Sequence, residues 1–333
     1  MKLRAALVAA GILLASFAAV PVNAAESLNI GIAYDMGGRG DRSFNDAAAA
    51  GLEKAQKKFT FTVEQVVTDG TSTDREKRVR SLIAKKCNPI IVVGQGYNTT
   101  LQMLAIEFPN TQFAILNDAS IDALNVTSLI FADVQGAFLA GYSAALASKT
   151  LKVAMIGTPS QADLYQNGFV AGVHAAKRKV TPIAKYVNGS AAIATKQAMS
   201  SGADVIFIAR EGSSEDVFSA IVARNAAKKK LSSYKEVGMI SLEPDQYVSV
   251  TAATKKFLYA TIVKRVDVAM YDVITMALSD KQYLDFLDPI VGIYGHRYGL
   301  ADGGITLTTY LPALTAASEQ INTAAVQGSK LAS

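Results

Sequence analysis

Apolar and polar residues alternate along this chain in blocks. Short apolar runs fall at Asn29–Tyr34, Thr62–Val67, Pro89–Gly94, Gln112–Asn117, Ser128–Ala132, Lys152–Gly157, Pro182–Val187, Asp204–Ala209, Val237–Leu242 and Leu258–Val263. Between them lie longer stretches of helical spacing that begin near Asn45, Thr73, Asn98, Gln135, Asp163, Ala191, Ser213 and Lys264. Strands alternating with helices predict a parallel sheet covered on both faces. The pattern restarts at Leu151, so the expectation is an α/β protein of two similar halves. The length of 333 residues agrees, since one domain usually spans about 150 residues.

The stretch 45–58 shows the local chemistry. Ser43 and Asn45 can cap a helix start, Asp46 lies at its positive end, and Lys57 and Lys58 lie at its negative end. Ala48, Gly51, Leu52 and Ala55 share one face, small enough to lie close against a sheet. Open parallel sheets bind ligands beyond the carboxyl ends of their strands. The candidates for ligand contact are therefore the polar residues at those ends: Asp35, the run Ser43-Phe44-Asn45, Gly94 to Gly96 with Tyr97, Asp118, Arg210-Glu211-Gly212, Glu243 and Lys264. The glycine-rich segment 37–40 is expected to be a mobile loop at the cleft rim.

At the N-terminus, Lys2 and Arg4 precede an apolar run from Ala5 to Val20, and Val22-Asn23-Ala24 presents small side chains where a signal peptidase reads. A signal peptide over residues 1–24 is expected, with cleavage after Ala24 and export to the periplasm. No Cys lies near that site to carry a lipid. The single thiol, Cys87, cannot form an internal disulfide and is expected to fill core space beside a strand. Of the formal charge of +5, two units belong to Lys2 and Arg4. The remaining basic residues are scattered, densest at 228–230, with no aromatic-interleaved stripe, so nucleic acid is not an expected partner.

Enzyme chemistry finds little support in the residue pattern. The two His, His174 and His296, have no Ser or Cys motif of recognised type beside them. No HExxH or CxxC spacing is present, so neither a metal nor a cofactor is expected. Gly94-Gln95-Gly96 follows a strand, yet Thr99 stands where a dinucleotide fingerprint needs its third glycine.

The segment Asp35-Met-Gly-Gly-Arg-Gly-Asp41-Arg-Ser43-Phe44-Asn45-Asp46 resembles the opening signature of the basic membrane protein family, the nucleoside-binding type I solute receptors of ABC transporters. The resemblance continues in order through Gly94-x-Gly96-Tyr97, Phe113–Asp118, Phe138-Leu-Ala-Gly141, Gly168-Phe-x-Ala-Gly172, Gly202–Ile206, Glu243-Pro-Asp-Gln246, Thr261–Ala269 and Gly303-Gly304-Ile305. It implies that Phe44 stacks on a nucleobase and that Asn45 and Asp118 recognise the base edge, with Asp35 shaping that end. Glu243, in place of the family's Asp, and Lys264 would hold ribose hydroxyls; a surface ion pair is the plainer alternative. The chain departs from the family at two places. Gly189-Ser190 is followed by Ala191 rather than by a second aromatic, for which Tyr165 or Tyr186 is a substitute or else a packing residue. Arg210-Glu211 stands where small residues are usual.

The resemblance implies a type I periplasmic-binding-protein fold, two Rossmann-like lobes joined by a three-crossover hinge. The lobes are expected at 25–133 plus 264–288 and at 134–263 plus 289–333, with crossings near Asp133, Lys264 and Pro289. The implied function is capture of a nucleoside, a purine above all, by a monomer that delivers it to an inner-membrane permease and its ATPase. A sensor of the same fold is the alternative, and a nucleoside hydrolase a more distant one.

Overall fold

The apolar runs form strands, and the strands form two sheets. The computed structural model describes residues 28–331 except 211–213, 229–233, 243–246, 248–249, 280–286 and 289–291. The leader with its cleavage site, Gly212 and Glu243 lie outside the described residues. The first sheet holds β1 (Asn29–Tyr34), β2 (Thr62–Val67), β3 (Ile90–Val93), β4 (Phe113–Leu116), β5 (Val126–Phe131), β11 (Leu287–Asp288) and β12 (Ile293–Tyr298), in the order β11-β12-β5-β4-β3-β1-β2. The second holds β6 (Lys152–Gly157), β7 (Thr181–Tyr186), β8 (Val205–Ala209), β9 (Gly238–Leu242), β10 (Leu258–Lys264) and β13 (Ile305–Thr309), in the order β13-β10-β9-β8-β6-β7.

The same doubly wound order therefore occurs twice, β2-β1-β3-β4-β5 and β7-β6-β8-β9-β10, with parallel neighbours throughout. Central strands are apolar along their whole length, as in Ile90–Val93 and Phe113–Leu116, because helices bury both faces. Edge strand β2 has no fully buried residue, and Glu64 and Gln65 stand in its middle.

The helices are α1 (Phe44–Gln56), α2 (Ser72–Ala84), α3 (Asn98–Glu107), α4 (Asp133–Ala147), α5 (Ala162–Ala175), α6 (Ala192–Ser200), α7 (Glu215–Lys228), α8 (Ala252–Lys255), α9 (Val266–Leu278), α10 (Pro312–Ala316) and α11 (Ser318–Gly328). Gly51 on α1 makes room for a neighbouring helix: a Cβ there would lie 2.4 Å from the Asp267 carbonyl oxygen of α9. The motifs around Gly141, Gly168 and Gly172 have a packing role. A Cβ at any of the three would lie 2.0 Å from a carbonyl oxygen of the facing helix, so α4 and α5 cross backbone against backbone.

Three crossings join the sheets, and one is displaced from expectation. Residues 293–298 do not join the second lobe; they pair in parallel with β5 of the first sheet. The third crossing therefore falls at 299–304 rather than near Pro289, because a strand belongs to the ladder that satisfies its backbone. The crossings are tied to one another. Ala132 N donates to Tyr298 O at 2.8 Å and Arg265 N to Gly304 O at 2.8 Å. Lys264 Nζ lies 2.8 Å from Asp133 Oδ1, and Leu300 N donates to Gln135 Oε1 at 2.9 Å.

Candidate functional site

Beyond the carboxyl ends of β1, β3 and β4 lies a cavity of about 220 Å³, lined by Asp35, Met36, Asp41, Ser43, Phe44, Asn45, Val93, Gly94, Gln95 and Asn117. The sheet order reverses between β1 and β3, so the cavity occupies the topological switch point of the first lobe. Gly94, at φ +99°, and Asn117, at φ +66°, turn the chain out of β3 and β4 at its floor. Glycine adopts that left-handed backbone without cost and Asn tolerates it better than most residues.

The loop from β1 to α1 forms one wall, held by its own side chains. Asp41, rather than Ser43 or Asn45, caps α1: its Oδ1 accepts from Ser43 N at 2.8 Å and Asp46 N at 3.1 Å, and its Oδ2 from Asn45 N at 3.0 Å. Asp46 in turn accepts from Gly40 N at 2.6 Å and Arg42 N at 2.9 Å, and Arg39 pairs with Glu53. The loop expected to be mobile is thus pinned from two sides. Asn45 is buried with its amide engaged by backbone: Oδ1 accepts from Asp35 N at 3.0 Å, and Nδ2 donates to the Asp35 and Met36 carbonyls. Phe44, half-buried at the start of α1, presents the only aromatic ring on the wall among the described residues.

Other expected site residues lie elsewhere. Tyr97 is fully buried and its hydroxyl donates to Tyr34 O at 2.8 Å; burial pushes its pKa up, so it supports the wall from behind. Gly96 faces the Arg75 guanidinium, which a Cβ would meet at 2.7 Å. Asp118 turns back to accept from Ser120 N at 2.8 Å, while its neighbour Asn117 lines the cavity. Tyr165 is buried edge-on against Phe207, ring centroids 6.4 Å apart, in the core of the second lobe. Tyr186 bonds Gln166.

Two basic residues mark the second lobe's side. Lys264, with no exposed surface, reaches from the end of β10 to Asp133 at 2.8 Å and Asn117 Oδ1 at 3.3 Å. It therefore links the second sheet to a residue of the cavity in the first. Arg210, at the end of β8, donates to Gly189 O at 3.3 Å and lies 3.6 Å from Asp216, whose carboxylate also accepts from Ser190 Oγ and Ala191 N. Burial pushes the Asp216 pKa up, but these donors and Arg210 outweigh it and hold the carboxyl below its ordinary value. Among the described residues, no group of three or more His, Cys, Asp or Glu comes together, and no helix is long and apolar enough to cross a membrane.

Gln95 falls within the expected run Gly94 to Gly96, whereas Asn117 is not among the expected contacts. Asn117 was placed inside a strand, which made Asp118 the first polar residue past it. The strand ends one residue earlier, at Leu116, and a boundary shift of one residue exchanges which side chain faces the cleft.

Residues 29–327 match the family described as PnrA-like ABC transporter substrate-binding proteins, Bmp. The chain is 31% identical to a CD4+ T-cell-stimulating antigen of Listeria monocytogenes over 76% of its own length and 74% of that protein. It is 27% identical to the ABC transporter nucleoside-binding protein BmpA of Lactococcus lactis, over 74% of each. Among solved structures, an ABC transporter solute-binding protein of Aeropyrum pernix superposes with a TM-score of 0.65 at 20% identity, covering 90% of this chain and 85% of that one. The fold is the two-lobed type I solute-binding fold.

Proposed function

The chain belongs to the Bmp family of PnrA-like substrate-binding proteins of ABC transporters, and from that membership we propose that it captures a purine nucleoside in the periplasm and delivers it to a permease driven by an ATPase. The observation that carries the reading is the cavity at the first lobe's switch point, where one aromatic ring, Phe44, stands beside the carboxylate of Asp35 and the amides of Gln95 and Asn117. A flat heterocycle needs a ring to stack on and polar partners for its edge. The name of the Lactococcus relative supports a nucleoside.

Among the described residues, those that line the cavity belong to the first lobe, which supports reading it as one half of a site completed by the second lobe. Rotation about the three crossings would bring the second lobe's strand ends, with Arg210, over the ligand and exclude water. Closure would give the permease a surface that reports occupancy. Lys264, fixed between Asp133 and Asn117, would sit at the floor of that closing cleft.

Calorimetric titration of residues 25–333 with inosine, guanosine, uridine, free bases, sugars and amino acids tests the reading. The expected result is saturable binding of a purine nucleoside, weakened about tenfold to a hundredfold by Phe44→Ala, because stacking on an aromatic side chain contributes roughly 1 to 3 kcal/mol. Binding of an amino acid or sugar alone, or a nucleoside affinity unchanged by Phe44→Ala, refutes it.

A further inference from the structure

We infer that Arg75 is a positioning residue for the binding cavity: it holds Asp35 so that one carboxylate oxygen faces the ligand, which requires the ligand to present a hydrogen-bond donor at that point. This rests on the reading of the cavity as the ligand site. Arg75 lies on α2, outside the cavity lining, and is clasped on several sides. Its Nη2 donates to Asp35 Oδ1 at 2.7 Å and its Nη1 to the Gly70 carbonyl at 2.6 Å. The guanidinium lies over the Tyr97 ring, 5.5 Å from its centroid, and that ring is anchored by its hydroxyl to Tyr34 O. Gly96 supplies the room, since a Cβ there would meet Nη2 at 2.7 Å. The two glycines of Gly94-Gln95-Gly96 thus have separate tasks. Gly94 turns the chain at the cavity floor, and Gly96 makes space for Arg75.

The pair is asymmetric. The Arg75 side chain is 13% exposed and that of Asp35 is 32% exposed, so the guanidinium lies behind and the carboxylate toward the cleft. Asp35 Oδ1 is engaged by Arg75, whereas Oδ2, 3.4 Å from where a Cβ on Gly94 would sit, has no hydrogen-bond partner among the described residues. Gly94 lines the cavity beside it. An ionised carboxylate only accepts hydrogen bonds, so this oxygen selects an N–H or O–H of the ligand.

The test is calorimetric titration of wild type, Arg75→Met, Arg75→Lys and Asp35→Asn with inosine, 1-methylinosine and 2′,3′-dideoxyinosine, with thermal unfolding to confirm that each variant folds. Arg75→Met should weaken inosine about tenfold to a hundredfold, the effect of losing a charge-assisted hydrogen bond. Asp35→Asn should do the same, since its oxygen would stay on Arg75 and its NH₂ would turn to the ligand's donor. Arg75→Lys should recover part of the affinity. The penalty of both disabling variants should vanish with the analogue that lacks the donor, the N-methylated base or the dideoxy sugar. Equal weakening of all three ligands by Arg75→Met, or no weakening of any, overturns the inference. A wild type that binds none of these nucleosides refutes the nucleoside reading instead. The same variants are then titrated with D-ribose and its 2-deoxy form, where a hydroxyl-dependent Arg75 penalty supports the inference and an unchanged affinity overturns it. Wild type that binds neither class overturns both.

Discussion

Gly168→Ala sets two magnitudes against each other. Alanine is the better helix former by about 1 kcal/mol, so propensity alone predicts that the substitution stabilises α5. Packing predicts the opposite. The new methyl would lie 2.0 Å from Val134 O, and a carbon needs roughly 3.3 Å from a carbonyl oxygen. The obstacle is backbone, so α4 and α5 would have to separate by about 1.3 Å. That shift loosens the buried rings of Phe138 and Phe169 and breaks the reciprocal approaches of Gly141 and Gly172, each 2.0 Å from a facing carbonyl. Inserting a methyl into a packed core costs about 1 to 3 kcal/mol, and rigid surroundings place this site at or above the upper end. The net expectation is a loss of about 2 kcal/mol, a fall in Tm of about 3 °C for a chain of this length at about 2.1 cal/mol/K of unfolding entropy per residue. Thermal and urea unfolding of Gly168→Ala measure it. A Tm equal to wild type or higher would show that propensity wins and that the helices are not held at backbone contact.

Lys264→Met should destabilise the protein by about 3 kcal/mol, because it removes the buried cation 2.8 Å from the Asp133 carboxylate near the hinge, and Lys264→Met with Asp133→Leu should recover much of the loss; urea midpoints for the two variants decide it. Asp216 has a folded-state pKa below its unfolded value, so its contribution is present above about pH 4 and is lost as the pH falls through the folded value. Asp216→Asn should therefore be less stable than wild type at pH 7, by a margin that narrows as the pH falls below about 4, and a margin that stays constant from pH 7 into acid would contradict that. Cys87 is 2% exposed, with its thiol pushed up by burial, so a thiol reagent at pH 8 should modify it only as fast as the protein opens, with rapid reaction in guanidinium.

The candidate site was legible where chemistry and strand ends coincide. Asp35, Ser43 and Phe44 follow β1 and open α1, and all three line the cavity. Asn117, one residue before Asp118, lines the cavity because β4 ends at Leu116, and Tyr97 and Gly96 lie behind the wall. Arg75 carried no signal at all. Arg75 is one of three Arg in the helical stretch Ser72–Ala84, with Arg78 and Arg80, and looks like any solvated residue until the fold decides which face meets the sheet.

Residue order alone determined the alternation of parallel strands and helices and its repetition from Leu151, because apolar runs and helical spacing are local properties that burial on both faces imposes. It did not reveal β12, whose sequence Ile-Tyr-Gly-His-Arg-Tyr mixes polar residues and a glycine and becomes a strand only because β5 offers an open edge. Tertiary structure likewise decided the third crossing, the contact of Lys264 with Asn117 across 147 residues, and the pairing of Arg75 with Asp35 across 40. Those contacts join segments that share no local pattern, so only chain closure brings them together.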